Sequence, residues 1–411
     1  MKYCIIFFFY LMNTTILYAE ISGCTDPKAN NYNPKAINND GSCIYKGANV
    51  SPLTSVILNK ELTETSGLIF WNNSLWSQND DTNNKLYSID TITGSILKSY
   101  PLANTINNDW EEISQDDQYI YVGDFGNNSS GNRVDLHILR VEKNSLLLEV
   151  PRIDTIYFSY SNQTNFNASA ANNTDFDCEA FLVTSDSIYL FTKQWVSEKT
   201  SIYALPKMPG NYIAQLRSTI NVQGLVTGIT YLESKRMAVI CGYSKLLQPF
   251  FYLLYDFKNN DFANGNKRKI TANLPFRQIE GIATSNGLKY YATNENFSIL
   301  NIPQQFHTFD FSNYLANYLN SIISIPTDIK NSKIQNSISV FPNPCNDILQ
   351  IKLLNINKIG AYCTVYNSIG NEIIRIQLTE ILNPINTKQL PVGMYYIYID
   401  TETAGCSFVK N

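Results

Sequence analysis

Histidine and charged side chains are scarce in this chain of 411 residues. His137 and His307 are the two histidines, and the eight cysteines include no C-x-x-C pair. A zinc cluster of Cys and His ligands is therefore disfavoured. Charged residues make up 16% of the sequence, with a net charge of −4 and a pI near 5.4. This balance argues against nucleic acid or an anionic membrane as the partner.

The G-x-S-x-G, H-E-x-x-H and P-loop motifs are missing, and so are long apolar runs. Residues 1–19 have a basic start at Lys2, a short apolar run and the ending Leu17-Tyr18-Ala19. This pattern predicts a signal peptide. The apolar run is far shorter than the ~20 residues that a membrane-spanning helix needs, and no later segment is apolar enough. We expect an exported chain without a transmembrane segment.

Aromatic and turn-forming residues are abundant instead. The chain has 27 tyrosines and 21 phenylalanines, and hydrophobic residues make up 44% of it. This composition favours strands joined by turns, in an all-β protein. At this length two or three domains are expected.

Residues 49–325 repeat a unit of short strands. Its five starts are spaced by roughly 45 to 70 residues, the period of a four-stranded propeller blade stretched by loops. The spacing predicts a five- or six-bladed β-propeller, with residues 56–62 as an early strand that completes the last blade. A pair of β-sandwiches is the alternative, but it does not predict so regular a restart. The starts lie at Ser66-Gly67-Leu68, Asp109-Trp110-Glu111, Asp177-Cys178-Glu179, Leu225-Val226-Thr227 and Gln278-Ile279-Glu280.

Several of these segments resemble the SdiA-regulated and phytase-like-esterase group of propellers. The resemblance rests on the starts at residues 66–68, 109–111, 177–180 and 278–281, and on Gly123-Asp124-Phe125-Gly126-Asn127-Asn128 with Arg133. It implies a calcium-assisted hydrolase of esters, lactones or phosphate esters. The sequence offers no obvious channel histidine as a base, so catalysis stays an open question.

Acidic residues fall at equivalent points of the repeat. Glu111, Glu179 and Glu280 each begin a unit, whereas Asp124 and Glu295 end the strand that follows. In a propeller these carboxylates converge on the central channel, where they raise one another's pKa unless a cation compensates. Calcium, which takes six to eight oxygen ligands, is the predicted cofactor. The alternative is that the carboxylates cap backbone N–H groups or face water. Asp80 holds the like position in the first unit, and the candidate neutral donors are Asn79, Asn127, Asn128 and Asn294.

Residues 20–48 form a small separate segment bounded by two cysteines. Because Cys24 and Cys43 flank one compact stretch, their spacing predicts a disulfide that closes it. The stretch resembles a module of secreted Bacteroidetes proteins, with the pattern G-C-T-D-P through D-G-S-C. Asp26, Asn38 and Asp40 are either turn caps or calcium ligands.

The C-terminal residues form a different module. A polar stretch at 326–336 predicts a linker, and residues 337–411 predict a small β-sandwich with glycines at its turns. Five motifs follow one another in it, namely Phe341-Pro342-Asn343-Pro344, Asp347-Ile348-Leu349-Gln350-Ile351, Asn367-Ser368-Ile369-Gly370-Asn371, Leu390-Pro391-Val392-Gly393-Met394-Tyr395 and Ser407-Phe408-Val409-Lys410. With them the module resembles the type IX (Por) secretion system C-terminal sorting domain. The resemblance implies the type IX machinery as a partner and a location that is secreted or attached to the outer-membrane surface. The signal residues are Pro342, Asn343, Pro344, Gly370, Gly393 and Lys410.

Two classes of function stay open for the middle domain. One is a calcium-stabilised binding or adhesion module for an unknown extracellular ligand, with exposed aromatics that stack on it. The other is a calcium-dependent hydrolase. The aromatics also have a structural alternative, since large side chains fill the space between propeller blades. They are Trp71, Trp76, Trp110 and Trp195.

Overall fold

The computed structural model describes residues 21–81, 83–324, 338–353, 358–367, 371–399 and 405–411. The chain divides between Ile323 and Ser324 into two compact units. The predicted signal peptide, the predicted linker at 326–336 and Gly370 lie outside the described residues. Among the described helices, none is long and apolar enough to cross a membrane.

The first unit is built almost entirely from strands. Four short strands come first, namely β1 (Ser22–Gly23), β2 (Asn38–Asn39), β3 (Asn49–Val50) and β4 (Thr54–Ile57). The next eight are β5 (Thr65–Trp71), β6 (Ser74–Asn79), β7 (Lys85–Ile89), β8 (Ile96–Pro101), β9 (Trp110–Gln115), β10 (Tyr119–Asp124), β11 (His137–Glu142) and β12 (Ile153–Tyr160). They are followed by β13 (Asp177–Val183), β14 (Ser187–Lys193), β15 (Thr200–Pro206), β16 (Gly210–Ile220), β17 (Leu225–Leu232), β18 (Met237–Tyr243), β19 (Pro249–Tyr255), β20 (Asn266–Ala272), β21 (Ile279–Thr284), β22 (Lys289–Asn294) and β23 (Gln305–Asp310).

Helices are few among the described residues. The two α-helices are α1 (Lys143–Leu147) and α2 (Ser312–Ser324), and α2 packs Leu315 and Leu319 against the core. Single 3-10 turns lie at Lys60–Leu62, Glu233–Lys235, Phe262–Asn264 and Ser298–Leu300. The predicted all-β class is confirmed.

The strands form five blades of four antiparallel strands each. Two parallel pairings extend them at the outer edge, because β12 of the second blade pairs with β16 of the third and β3 pairs with β20 of the fourth. Strands β5, β9, β13, β17 and β21 are the innermost ones, and each contacts the next, with β21 contacting β5. The described part of the chain is thus a closed five-bladed ring. Strand β4 pairs with β23 and completes the last blade. The strand predicted at 56–62 lies earlier and is shorter, at Thr54–Ile57, because Asn59 caps a 3-10 turn at Lys60–Leu62.

Large apolar side chains fill the gaps between neighbouring blades. Phe125 of the second blade packs edge-on against Phe181 of the third, with ring centroids 5.5 Å apart. Trp76 and Trp110 are buried in the cluster between the first two blades. Such packing removes these aromatics from the surface and favours their structural reading over stacking on a ligand.

The N-terminal segment is closed by the predicted disulfide between Cys24 and Cys43. It lies against the outer part of the fourth blade. Asp26 accepts hydrogen bonds from the hydroxyls of Tyr45 and Tyr255, at 2.8 and 2.6 Å. Asp26 also accepts from the backbone N–H of Lys28 at 2.8 Å, which is the predicted turn cap. Its second oxygen, bound by the two tyrosines, attaches the segment to the fourth blade.

The second unit is a small sandwich of two sheets. One sheet has the order β24-β25-β28 and the other β27-β26-β29-β30, and their apolar faces share one core. Asn343 accepts from the backbone N–H of Val409 at 2.9 Å, which ties the start of the unit to its last strand. The strands are β24 (Ile338–Phe341), β25 (Ile348–Leu353), β26 (Tyr362–Asn367), β27 (Glu372–Gln377), β28 (Leu382–Asn386), β29 (Gly393–Ile399) and β30 (Gly405–Lys410).

Candidate functional site

A bulge recurs at the start of every innermost strand. In four blades one residue is skipped in the pairing with the second strand, and in the first blade the skipped pair is Gly67 and Leu68. A bulge of this kind turns the extra residue away from the ladder. Three of the four single skipped residues are acidic, which places carboxylates from separate blades at one end of the channel, here called the acidic mouth. The skipped residues are Glu111, Glu179, Thr227 and Glu280.

Glu111, Asp177 and Glu179 form an inner trio at the acidic mouth. Their carboxylate oxygens lie within 4.8 Å of one another, and all three side chains are buried. Burial, followed by the charge of Glu179, raises the pKa of Glu111 well above its usual range. The Nζ of Lys193, itself buried, lies 3.0 Å from Glu179 Oε1. This ammonium compensates part of the inner trio's charge.

Two N–H groups also donate hydrogen bonds to the inner trio. Asp177 accepts from the backbone N–H of Asn127 at 2.6 Å and from the indole N–H of Trp195 at 2.7 Å. Burial opposes the charge of Lys193, but the surrounding carboxylates, Glu179 first, raise its pKa well above the ordinary value. Lys193 is thus held as a cation, over the rings of Trp195 and Tyr243.

Glu64, Asp80 and Glu295 form an outer trio beside it. Their oxygens also lie within 4.8 Å of one another, in a half-buried setting. Burial raises the pKa of Asp80 to about 7 and that of Glu295 to about 9, with the neighbouring carboxylates adding to both. No described lysine or arginine forms an ion pair with any of the three. With their pKa raised, Asp80 and Glu295 retain protons at neutral pH, and a bound cation could take the place of those protons.

Glu280 lies between the two trios. Its charge contributes to the raised pKa of both Glu179 and Glu295. Burial raises the pKa of Glu280 itself to about 7. Its Oε2 is buried without a hydrogen-bond partner among the described residues. A buried carboxylate oxygen without a donor is costly unless a proton or a cation satisfies it.

Asp124 is placed differently from the other predicted metal ligands. It is fully buried and pairs with Arg133, whose Nη2 lies 2.7 Å from Asp124 Oδ1. The backbone N–H of Asn108 donates to its other oxygen at 3.0 Å, and His137 Nε2 lies 3.8 Å away. Asp124 therefore belongs to neither trio.

The neutral donors predicted beside the carboxylates are mostly engaged elsewhere. Asn127 Oδ1 accepts from the backbone N–H of Arg133, and Asn294 Oδ1 contacts His307 Nε2 at 2.8 Å. Burial lowers the pKa of His307 to about 3, so it is neutral. Asn79 differs, because its buried Oδ1 has no hydrogen-bond partner in the described part of the chain.

Glu112 closes the channel below the acidic mouth. It accepts from the backbone N–H of Ile113 at 2.9 Å and, across the channel, from that of Ile229 at 2.8 Å. Burial raises its pKa well above the usual range. Gly67, at φ +59°, leaves the room for it, since an added Cβ would lie 2.6 Å from Glu112 Oε1.

Sequence reasoning missed four members of this arrangement, namely Glu64, Glu112, Asp177 and Lys193. A signal existed for Asp177, because it stands two residues before Glu179 on one strand and such residues share a face. Glu112 had a similar signal, because neighbouring residues of a strand point to opposite sides and Glu111-Glu112 therefore places one carboxylate on each side. Lys193 carries no local signal, since its ion-pair partner Glu179 stands 14 residues before it and the two meet only because β13 pairs with β14.

Comparisons with solved structures give remote likenesses. The PorZ protein, described as an essential surface component of the type-IX secretion system of Porphyromonas gingivalis, is 12% identical, with a TM-score of 0.30. The alignment covers 91% of this chain and 48% of PorZ, so the chain spans about half of PorZ. A chain of the mitotic checkpoint complex is 9% identical, with a TM-score of 0.32, and the alignment covers 64% of this chain and 96% of that one. The WD40 repeats of RRP9 are 9% identical, with a TM-score of 0.33, and the alignment covers 64% of this chain and 100% of that one. These values are too low to transfer an activity or a partner.

Sequence comparison identifies one part of the chain. No curated protein matches this chain. Residues 339–410 match the model of the secretion system C-terminal sorting domain, inside the predicted module at 337–411. The second unit therefore carries the features of a sorting domain of the type IX system, which directs export of this protein to the cell surface or the exterior.

Proposed function

We propose that the propeller is an extracellular binding module whose acidic mouth holds a calcium ion. The observation that carries this proposal is the outer trio, three carboxylates within 4.8 Å of one another without a compensating cation among the described residues. Calcium prefers carboxylate oxygens and tolerates irregular geometry. Glu64, Asp80 and Glu295 are the proposed ligands, with the unpartnered oxygens of Asn79 and Glu280 as further candidates.

The inner trio is the second place for a cation. Lys193 already offsets part of its charge, and Asp177 is saturated with donors. Calcium at the outer trio would displace the protons that Asp80 and Glu295 hold, and it would stabilise the folded state in proportion to its concentration. Glu111 and Glu179 are then expected to favour calcium binding through their negative charge, without direct contact with the ion.

Thermal unfolding of the full chain in calcium and in EGTA tests the proposal. Saturation at about 100 times the dissociation constant contributes about 2.7 kcal/mol, which corresponds to a rise of roughly 4–5 °C in the midpoint for a unit of this size. In Asp80→Asn and Glu295→Gln the calcium shift is expected to vanish, while their midpoints in EGTA rise because repulsion is relieved. Glu372→Gln, on an exposed strand of the second unit, is the control.

Results of three kinds would contradict the calcium site, two in the response to calcium itself and one in the comparison with magnesium. One is a midpoint that does not respond to calcium, and the other is a calcium response that both variants retain. Equal responses to calcium and magnesium would also count against it, because magnesium requires a near-ideal octahedron that an irregular cluster does not provide.

A second candidate function is the calcium-dependent hydrolase that the sequence resemblance implies. Carboxyl groups with raised pKa, as at Asp80 and Glu295, are concentrated at functional sites. In such an enzyme the ion polarises the substrate's oxygen and a carboxylate activates water. Turnover of a panel of lactones, esters and phosphate esters, lost in EGTA, would support this function. Stabilisation by calcium without turnover would favour the binding module.

A further inference from the structure

The end of the channel opposite the acidic mouth is a cavity to which all five blades contribute. It has a volume of about 290 Å³ and lies where the innermost strands end. This opposite mouth is a different place from the carboxylate trios, which lie where the same strands begin. Its walls include Phe70, Ser114, Val183, Thr230 and Ser285, one from each blade.

The opposite mouth is a pocket with a floor and not an open tunnel. Glu112 crosses the channel between the two ends and is held by backbone N–H groups of Ile113 and Ile229. Ile69, Val183 and Ile229 border the cavity, but their side chains are almost fully buried in the clusters between blades. A ligand that enters from this end therefore meets a lining of mixed polarity, in which the hydroxyls of the rim alternate with half-buried apolar side chains such as Phe70 and Leu232.

Three hydroxyls at the opposite mouth are unused. The side chains of Ser114, Thr230 and Ser285 form no hydrogen bond with any other described residue, although each lines the cavity. A hydroxyl offers one donor and two acceptor positions. The neighbouring Gln115 is fixed, since its amide donates to Phe70 O and its Oε1 accepts from Lys143. The rim thus combines rigid walls with free hydroxyls.

An adjoining cavity of about 460 Å³ extends the opposite mouth over the second, third and fourth blades. Its lining contains one cation, Lys207, and three carboxylates, Asp116, Asp117 and Glu233. Lys207 lies 3.0 Å from Asp116 Oδ2, and Glu233 accepts from the backbone N–H and the hydroxyl of Ser185. The excess of carboxylates disfavours an anionic ligand. Cavities of these sizes are in the range of small-ligand sites.

We infer that the opposite mouth binds a neutral polyhydroxylated ligand, the chemistry of a sugar. One ring fits the inner cavity, with its C–H face toward the half-buried side chains of Phe70 and Leu232 and its hydroxyls on Ser114, Thr230 and Ser285. A second ring extends into the adjoining cavity beside Tyr231, which lines both. This inference is independent of the calcium site, because the two lie at opposite ends of the channel.

Saturation-transfer NMR on the purified full chain tests it with a panel of neutral sugars. The panel is glucose, galactose, mannose, N-acetylglucosamine, cellobiose and lactose. At least one is expected to bind, and a disaccharide should bind more tightly than its monosaccharide. Ser114→Ala and Thr230→Val each remove one hydroxyl and should raise the dissociation constant by roughly 3- to 10-fold. Ser285→Trp fills the entrance and should abolish binding.

Matched controls separate binding from folding. Thr271→Val removes an exposed hydroxyl on β20, the fourth strand of the fourth blade and far from the channel, and should leave the dissociation constant unchanged. The thermal midpoints of all variants show that each is folded, and Asp80→Asn in EGTA should bind sugar as the parent chain does. The inference is overturned if no sugar of the panel binds at millimolar concentration. It is also overturned if Thr230→Val and Ser285→Trp, both folded, bind like the parent chain.

Discussion

Lys193 is the residue on which the charge balance of the acidic mouth depends. It is a buried ammonium 3.0 Å from Glu179, and it faces Glu111, Asp177 and Glu280 as well. A buried ion pair contributes little net stability, but removal of one partner leaves the other charge uncompensated. The carboxylates that remain can take up protons instead, at a cost that depends on pH.

We expect Lys193→Met to lower the free energy of unfolding by about 3–5 kcal/mol. The loss should be larger at pH 8 than at pH 5, because protonation relieves the repulsion at the lower pH. Urea unfolding followed by tryptophan fluorescence measures it, since all four tryptophans lie in the first unit. Lys46→Met, at an exposed position, is the control. A loss below about 0.5 kcal/mol, the size of ordinary surface substitutions, would refute this account.

The outer trio gives the protein a definite pH dependence in EGTA. Folding raises the pKa of Asp80 and Glu280 to about 7 and that of Glu295 to about 9, so the folded state binds protons that the unfolded chain releases. The stability they contribute is full below pH ~4 and is lost as the pH rises through the folded values. Two groups have the opposite effect, so that stability rises with pH, but neither acts between about pH 6.5 and 8. His307, neutral when folded, does so only below its unfolded pKa near 6.5. Lys143, whose pKa burial lowers to about 8, does so only above that pH.

Between about pH 6.5 and 8 the thermal midpoint in EGTA is therefore expected to fall. Glu295→Gln should flatten this slope, and calcium should flatten it too, because an ion replaces the protons. Glu372→Gln should leave the slope as it is. A midpoint in EGTA that rises through this window would be incompatible with protonated carboxylates at the acidic mouth.

Strand β4 closes the ring at the scale of elements. It pairs with β23 and brings residues from before the first blade into the last one. Val56 packs against the cluster that contains Leu58, Leu75 and Phe306, whereas its neighbour Ile57 is 64% exposed. Because successive side chains of a strand point to opposite faces, Val56 is packed and its neighbour Ile57 is exposed.

Val56→Asp is expected to lower the free energy of unfolding by about 2–4 kcal/mol, because it buries a charge in an apolar cluster. Ile57→Asp should change it by less than about 0.5 kcal/mol. Urea unfolding by tryptophan fluorescence compares the two. Equal effects would mean that the ring does not depend on closure by this strand.

The two units have separate cores at the scale of the whole molecule. The second unit packs Leu349, Val365 and Ile397 in a cluster of its own, and the first has its clusters between blades. An export signal on a self-contained unit can act without contributing to the cargo's stability. The sorting domain and the propeller are expected to be separable in this sense.

A chain that ends after residue 324 should therefore keep its export across the inner membrane but lose export to the cell surface. Cell fractionation and protease accessibility of intact cells measure this. Its tryptophan-monitored thermal midpoint should match that of the full chain. Surface exposure of the truncated chain would show that residues 339–410 are not the signal that directs export.

The sequence by itself determined the elements whose signals are local. The disulfide of Cys24 and Cys43 and the five blade starts follow from spacing along the chain, and the sorting domain follows from the resemblance of its motifs to a known family. Their physical basis is short-range, in a small closed loop, a set of turns and strands, and a repeat of one supersecondary unit. The alignment of Glu111, Glu179 and Glu280 was predictable for the same reason, since each occupies the same place in its repeat.

Only the tertiary structure decided which of those carboxylates meet. The ring places Asp80 beside Glu295 because the first and last blades are neighbours, and it gives Asp124 to Arg133 instead of to either trio. The blade number and the plug at Glu112 likewise depend on closure of the ring, and so does the hydroxyl-lined opposite mouth. Contacts across a closed ring join residues far apart in the chain, and no local pattern encodes which of them will be partners.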